Sequence, residues 1–294
     1  VGFGIGIGNG LAIVAARSYG AQDEDLLKKT VAGSLVIGFL SSLCITLAGL
    51  VGLHPLLVLL DTPAEILEEA YSYIILIDVG VLVMFAYNLC AGLLRAIGNS
   101  FMPLVFLLIS SGLNVALDLV FIAVVGMGVK GAAVATVISQ GVSVVLCIFY
   151  VLRKTRVLVP ERKHFQVGRK LYWDLFSQSI SMGLMSSIVS AGSVVLQYGI
   201  NGLGTLVIAG HTAARKMFAF TDMPLIAMAN AGSTFVSQNY GANHPDRVRK
   251  GMREIYLYSV VVAVLAVLLM NVGAEWMVKL ISGSSEAVVL ENGA

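Results

Sequence analysis

Asp118 is a carboxylate set inside the apolar run Ser110-Ser111-Gly112-Leu113-Asn114-Val115-Ala116-Leu117-Asp118-Leu119. Asn114 precedes it by one helical turn, so on a helix the two share a face. After the turn signal Gly126-Met127-Gly128 the chain runs back, and Thr136 lies as far beyond that turn as Asp118 lies before it. At about 1.5 Å per residue both sit about 12 Å from the turn, which brings a carboxylate, an amide oxygen and a hydroxyl together. Such oxygen ligands suit a hard cation such as Na⁺, and a carboxylate stripped of water there also takes up H⁺ readily. The alternative is an inter-helix hydrogen bond that only fixes the hairpin.

Other polar residues in apolar surroundings are candidates for a cavity. Asp78, between Ile77 and Val79, reads equally as a coupling group and as a structural one. Arg215 and Asp222 are seven residues apart and share a helix face, with Lys216 adjacent; they form a structural ion pair or line a polar pathway. Gln197 and Asn201 are an i, i+4 pair, which suits inter-helix glue or a cavity wall. His54, His164, His211 and His244 are scattered, and no nucleophile recurs beside them at helical spacing, so enzymatic catalysis is not expected. Cys44, Cys90 and Cys147 stand singly, without zinc spacing or a disulfide pattern. No cofactor is expected. In Gly2-Phe3-Gly4-Ile5-Gly6-Ile7-Gly8-Asn9-Gly10 no strand precedes the glycines and no βαβ unit follows, against a nucleotide loop. On a helix, Gly4 with Gly8 and Gly6 with Gly10 form small-xxx-small surfaces for close packing.

The elements that must carry these residues are membrane helices. Of 294 residues, 57% are hydrophobic and 12% charged, against roughly 25% charged in soluble domains, and the mean hydropathy is +0.89. A net charge of +2 gives no basic face for nucleic acid. A bilayer core of about 30 Å takes about 20 apolar residues of helix, and such runs fall at 1–17 (a half-span), 30–53, 68–94, 101–126, 129–152, 172–201, 205–237 and 252–281. Lipid rules out open strands, and the runs are too long for barrel strands.

Alternating loops then sort the positive charges. Fifteen of the 19 basic residues fall on one side, including Arg17, Arg95, the group from Arg153 to Lys170, and Arg247 to Arg253, while Lys130 and Lys279 fall on the other. The positive-inside rule makes the 153–170 loop cytoplasmic in a multi-pass protein of the cell membrane. A shift of 221 residues superposes Asn9 on Asn230, Tyr19-Gly20-Ala21 on Tyr240-Gly241-Ala242, Asp25 on Asp246, Lys29 on Lys250, Leu59 on Leu280 and Glu65 on Glu286. Six helices separate the copies, so this is a parallel repeat about an axis along the membrane normal. The domains expected are an N-terminal lobe at 1–155, a basic linker at 156–171 and an incomplete C-terminal lobe at 172–294. With a six-helix unit the chain reads as a fragment, from the second half of helix 2 to helix 9 of about twelve.

These segments together resemble the multidrug and toxic compound extrusion (MATE) family of secondary transporters. The resemblance is carried by Ala15-Ala16-Arg17-Ser18-Tyr19-Gly20-Ala21, Arg95-Ala96-Ile97-Gly98-Asn99-Ser100-Phe101-Met102-Pro103, Asn114 to Ile122, Gly126 to Ala133, Ala135 to Gln140 and Ser237 to Ala242. It implies an all-α polytopic fold of two six-helix lobes around a cavity, working as a monomeric cation-driven antiporter on small organic compounds. It also implies a cation site of an Asn and an Asp in helix 5 and a Thr in helix 6, positions matched by Asn114, Asp118 and Thr136. The family's further Asp in helix 1 and its helices 10 to 12 fall outside this chain, and helix 7 lacks the acidic residue of some branches. A lipid-linked oligosaccharide or lipid flippase of the same superfamily is the alternative, kept open by Arg215 and Lys216.

Overall fold

In the computed structural model, residues 2–59, 64–201 and 205–282 are described, and among them every regular element is helical. The helices are α1 (Gly2–Gly20), α2 (Glu24–Leu59), α3 (Ala64–Val79), α4 (Val81–Ala96), α5 (Phe101–Asp118), α6 (Val129–Lys154), α7 (Arg169–Asn201), α8 (Thr205–Gly241) and α9 (Pro245–Ser282). Five are long and apolar enough to cross a membrane, six with α3 and α4 counted as one bent span. Large apolar side chains such as Val51, Val124 and Ile188 are more than 70% exposed, an outer surface suited to lipid rather than water.

Two departures from simple spans stand out. The run expected as one helix at 68–94 bends by 45° between α3 and α4. At the break, Val137 Cγ2 of α6 lies 2.5 Å from where a Cβ on Gly80 would stand, so a side chain there would have to displace Val137. The run at 101–126 leaves α-helical geometry after Asp118 and continues as a π-helix over Leu119–Val124. The turn into α6 then passes through Gly126 (φ 73°) and Gly128 (φ 57°, ψ −140°). A side chain at Gly128 would be forced into a backbone region open essentially to glycine alone.

The chain forms two compact units, Val1–Ser187 and Ile188–Ala294. The division falls inside α7 rather than in the basic connector. The core of the first unit gathers Ile7, Leu11, Val14, Leu27, Leu94, Leu158 and Leu175, all under 3% exposed. Residues 156–165 make two 3₁₀ turns, Arg156–Leu158 and Arg162–Phe165.

The repeat is visible in the backbone. α1 ends at Gly20 and α8 at Gly241; α2 begins at Glu24 and α9 at Pro245. Gln22 (φ 56°) and Asn243 (φ 57°) hold the same left-handed conformation. Ala21 N–H donates to Arg17 O at 3.0 Å and Ala242 N–H to Gln238 O at 2.9 Å; Gln22 N–H reaches Tyr19 O at 3.0 Å and Asn243 N–H reaches Tyr240 O at 3.1 Å. Every pair is separated by the 221-residue shift. The matching of Glu65 with Glu286 lies outside the described residues.

Candidate functional site

The α5–α6 hairpin is held by buried hydroxyls. Ser110 Oγ donates to Ser139 O at 2.8 Å and Ser143 Oγ to Phe106 O at 3.0 Å. In that antiparallel register Leu113 is level with Thr136, and Asp118 is level with Gly131. Thr136 therefore lies one residue from Asn114 in height, not beside Asp118 as equal spacing from the turn suggests. Between Asp118 and the turn the chain is π-helical over Leu119–Val124.

Asn114 Nδ2 and Asp118 Oδ1 are both buried and without a hydrogen-bond partner. The amide's nitrogen and oxygen exchange places by a half-turn of the side chain, so the buried atom at Asn114 serves equally as an acceptor. Thr136 Oγ1 donates to Ala132 O at 2.9 Å, leaving its lone pairs free to accept. A buried unpartnered carboxylate oxygen is costly in a low dielectric, and a proton or a cation relieves that cost.

The remaining candidates are distributed elsewhere. Asp78 Oδ2 is likewise buried and unpartnered, while the Asp78 carbonyl accepts from Thr46 Oγ1 at 3.1 Å. Its carboxylate lies within 2.5 Å of where a Cβ on Gly49 would stand, wedged in a notch on α2 next to the Gly80 break. Arg215 Nη1 donates to Gln197 Oε1 at 3.3 Å, and among the described residues Arg215 and Asp222 make no ion pair with each other. Lys216 is exposed. His211 Nε2 is buried without a partner. Asn201 ends α7, and its side chain lies outside the described residues. Among the described residues no three His, Cys, Asp or Glu side chains gather as a metal site would require.

Two arrangements had no signature in spacing. Arg17, in the last turn of α1, pairs with Asp174 in α7; the two are far apart in sequence and nothing local links them. His164 is 2% exposed, accepts from Glu161 N–H on Nδ1 at 2.8 Å, and meets Asp25 at 3.3 Å through Nε2. This fastens the connector to the start of α2. Glu161 three residues before His164 is a reciprocal cap in a short helix, the one local hint available. Around it, Lys29 holds the Asp25 carboxyl below the usual carboxylate range, Lys163 does the same for Glu161, and Glu24 pushes the Lys28 ammonium up.

A model of the MatE family matches residues 1–120 and 182–293. Among curated proteins, the probable multidrug resistance protein YpnP of Bacillus subtilis is 28% identical over 250 residues, covering 84% of this chain and 55% of that protein. The probable multidrug resistance protein YoeA of the same organism is 26% identical, covering 92% and 60%. The multidrug export protein MepA of Staphylococcus saprophyticus is 23% identical, covering 92% and 59%. This chain thus spans 55–60% of the length of these relatives. Among solved structures, an outward-facing multidrug resistance MATE family transporter of the MOP superfamily superposes with TM-score 0.87 at 22% identity, over 99% of this chain and 65% of that one. A MOP superfamily transporter from Pyrococcus furiosus, described as having a binding pocket of reverse polarity, superposes with TM-score 0.84 at 22% identity, over 98% and 64%. The helical arrangement is shared with these structures.

Proposed function

The chain belongs to the MatE family, and from that premise we propose that the protein is a secondary active multidrug efflux antiporter, exporting organic, often cationic, compounds in exchange for Na⁺ or H⁺. One observation carries the ion-coupling half of this reading: Asp118 Oδ1 and Asn114 Nδ2, one helical turn apart, are both buried and unpartnered. With Thr136 near the height of Asn114, the three supply an anionic oxygen, an amide oxygen and a hydroxyl. H⁺ neutralises Asp118 directly; Na⁺ draws on the amide and hydroxyl as well. The start of the π-helix immediately after Asp118 is a place where backbone hydrogen bonding can change with occupancy.

Transport follows by linkage. If ion binding stabilises one arrangement of the lobes and substrate binding the other, each lowers the other's affinity by the same factor, without sharing a site. Arg215, Lys216, Asp222, Asp78, Gln197 and Asn201 are assigned to the walls of the substrate path. The orientation assigned is that of the basic loops, with 153–170 cytoplasmic in the cell membrane, lobes at 1–155 and 172–294, and a monomer as the working unit.

The test is efflux of a fluorescent organic cation from proteoliposomes under an imposed Na⁺ or pH gradient, with Asp118→Asn beside the unaltered protein. Loss of gradient-driven transport in a variant that melts normally is the expected result. Equal transport by the variant removes Asp118 from coupling. The second reading, a flippase for a lipid-linked oligosaccharide, is favoured by Arg215, which has a neutral amide rather than a carboxylate as its hydrogen-bond partner. Lipid translocation that survives Asp118→Asn and fails in Arg215→Ala selects it.

A further inference from the structure

A cavity of about 550 Å³ opens between α2 and the first turns of α7, lined by Ile37, Arg169, Tyr172, Trp173 and Phe176. Its volume falls in the range of small-ligand sites, about 300–1,000 Å³. Among the described residues no carboxylate lines it. The nearest acidic residue along α7, Asp174, is already engaged by Arg17. Arg169, Tyr172 and Trp173 bring residues carrying a guanidinium, a phenol and an indole N–H to the lining, and among the described residues none of these three groups has a hydrogen-bond or ion-pair partner.

The apolar half of the lining is equally specific. Trp173 is 69% and Phe176 47% exposed, with ring centroids 6.0 Å apart. From Ile37, the same face of α2 continues through Leu40 and Leu47, both exposed, giving an apolar track along the bundle. Arg169 begins the apolar span Arg169–Ile200, and indole and phenol rings at such a boundary sit at the level of lipid headgroups. A ligand filling this site needs a negative head, an apolar tail and access from the plane of the membrane.

We propose that this cavity binds an anionic phospholipid. Its phosphate is held by the Arg169 guanidinium, with Tyr172 and Trp173 donating to phosphate or ester oxygens, and its acyl chain lies over Ile37 and Phe176 onto the α2 track. Selection between lipids rests on charge: a zwitterionic headgroup offers the guanidinium the same phosphate but also a cation that it repels. A lipid in this cavity contacts the turns of α7 next to the Arg17–Asp174 pair, so headgroup composition bears on the α1–α7 contact.

Trp173 is a built-in reporter. The protein is reconstituted with phosphatidylcholine brominated on its acyl chains, or with the same content of brominated phosphatidylglycerol, and indole fluorescence quenching is measured. Subtracting the signal of a Trp173→Phe variant isolates this ring from Trp276. The expected result is a relative binding constant about fivefold in favour of the anionic lipid, the effect of one surface cation, falling to near unity in Arg169→Gln. Lys154→Gln, an exposed basic residue outside the cavity, is expected to keep the preference. Equal quenching by the two lipids overturns the proposal. So does an equal loss in Lys154→Gln, which makes the attraction a general surface field. Relief of quenching by inorganic phosphate overturns it too, because the site then recognises a free anion rather than a headgroup.

Discussion

Asp118 and Asp78 are both carboxylates in apolar helices with a buried, unpartnered oxygen, and their neighbours separate their roles. Asp118 has an amide one turn away, also unsatisfied, and a hydroxyl one helix over. Asp78 is pressed into the notch at Gly49 with only a carbonyl bond from Thr46 beside it. A proton needs the carboxylate alone, whereas Na⁺ needs several oxygens, so the two ions respond differently to loss of the amide. Asn114→Ala is expected to raise the Na⁺ concentration for half-maximal thermal stabilisation by about tenfold, the loss of roughly one hydrogen-bond-sized interaction of ~1.4 kcal/mol. The Na⁺ effect is expected to vanish altogether in Asp118→Asn. Melting curves of the purified protein over a Na⁺ series measure both. An Asn114→Ala protein with an unchanged Na⁺ midpoint removes the amide from the site.

The glycine run of α1 shows how one element meets several neighbours. A Cβ on Gly6 would stand 2.4 Å from Met182 O, and one on Gly10 2.5 Å from Gln178 O, both backbone atoms of α7. Gly8, between them in sequence but on another face, would bring its Cβ to 3.7 Å from Asn88 Cβ of α4, an ordinary contact. Spacing alone had offered Gly4 with Gly8 and Gly6 with Gly10 as equal small-residue surfaces; the α7 backbone makes the second one strict. Backbone cannot swing aside as a side chain can, so Gly6→Ala and Gly10→Ala are each expected to lower stability by about 1–3 kcal/mol. Gly8→Ala, which removes a helix-disfavouring residue without a clash, is expected to be neutral or slightly stabilising, by up to about 1 kcal/mol. Thermal melts of the three variants in one detergent decide it. Equal behaviour of Gly8→Ala and Gly10→Ala would show that α1 and α7 do not touch at this distance.

For the molecule as a whole, patterns with a period were legible and contacts made by chance of folding were not. Apolar runs gave the helices, because lipid leaves the backbone no other solution. The 221-residue shift was legible in matched residues such as Tyr19-Gly20-Ala21 and Tyr240-Gly241-Ala242, and the structure extends it to Gln22 and Asn243, whose types differ but whose left-handed backbone is the same. The bend at Gly80 was hidden, since nothing in the run 68–94 announces that Val137 must fit there. The height of Thr136 along the hairpin was not legible in its spacing from the turn, because the register is set by the Ser110–Ser139 and Ser143–Phe106 bonds between helices. Arg17 with Asp174 and His164 with Asp25 join residues more than 130 positions apart, beyond any spacing rule. Orientation is the global property that charge alone assigns, and it has a direct test. With the basic connector inside, Lys163→Cys is expected to resist a membrane-impermeant maleimide in intact cells and to react after lysis. Met127→Cys, in the turn between α5 and α6 at the opposite end of the hairpin, is expected to react without lysis. The reverse labelling would invert the molecule in the membrane. It would also carry the 21–23 turn, next to the start of α2 that His164 and Asp25 fasten to the connector, to the outer rather than the inner side.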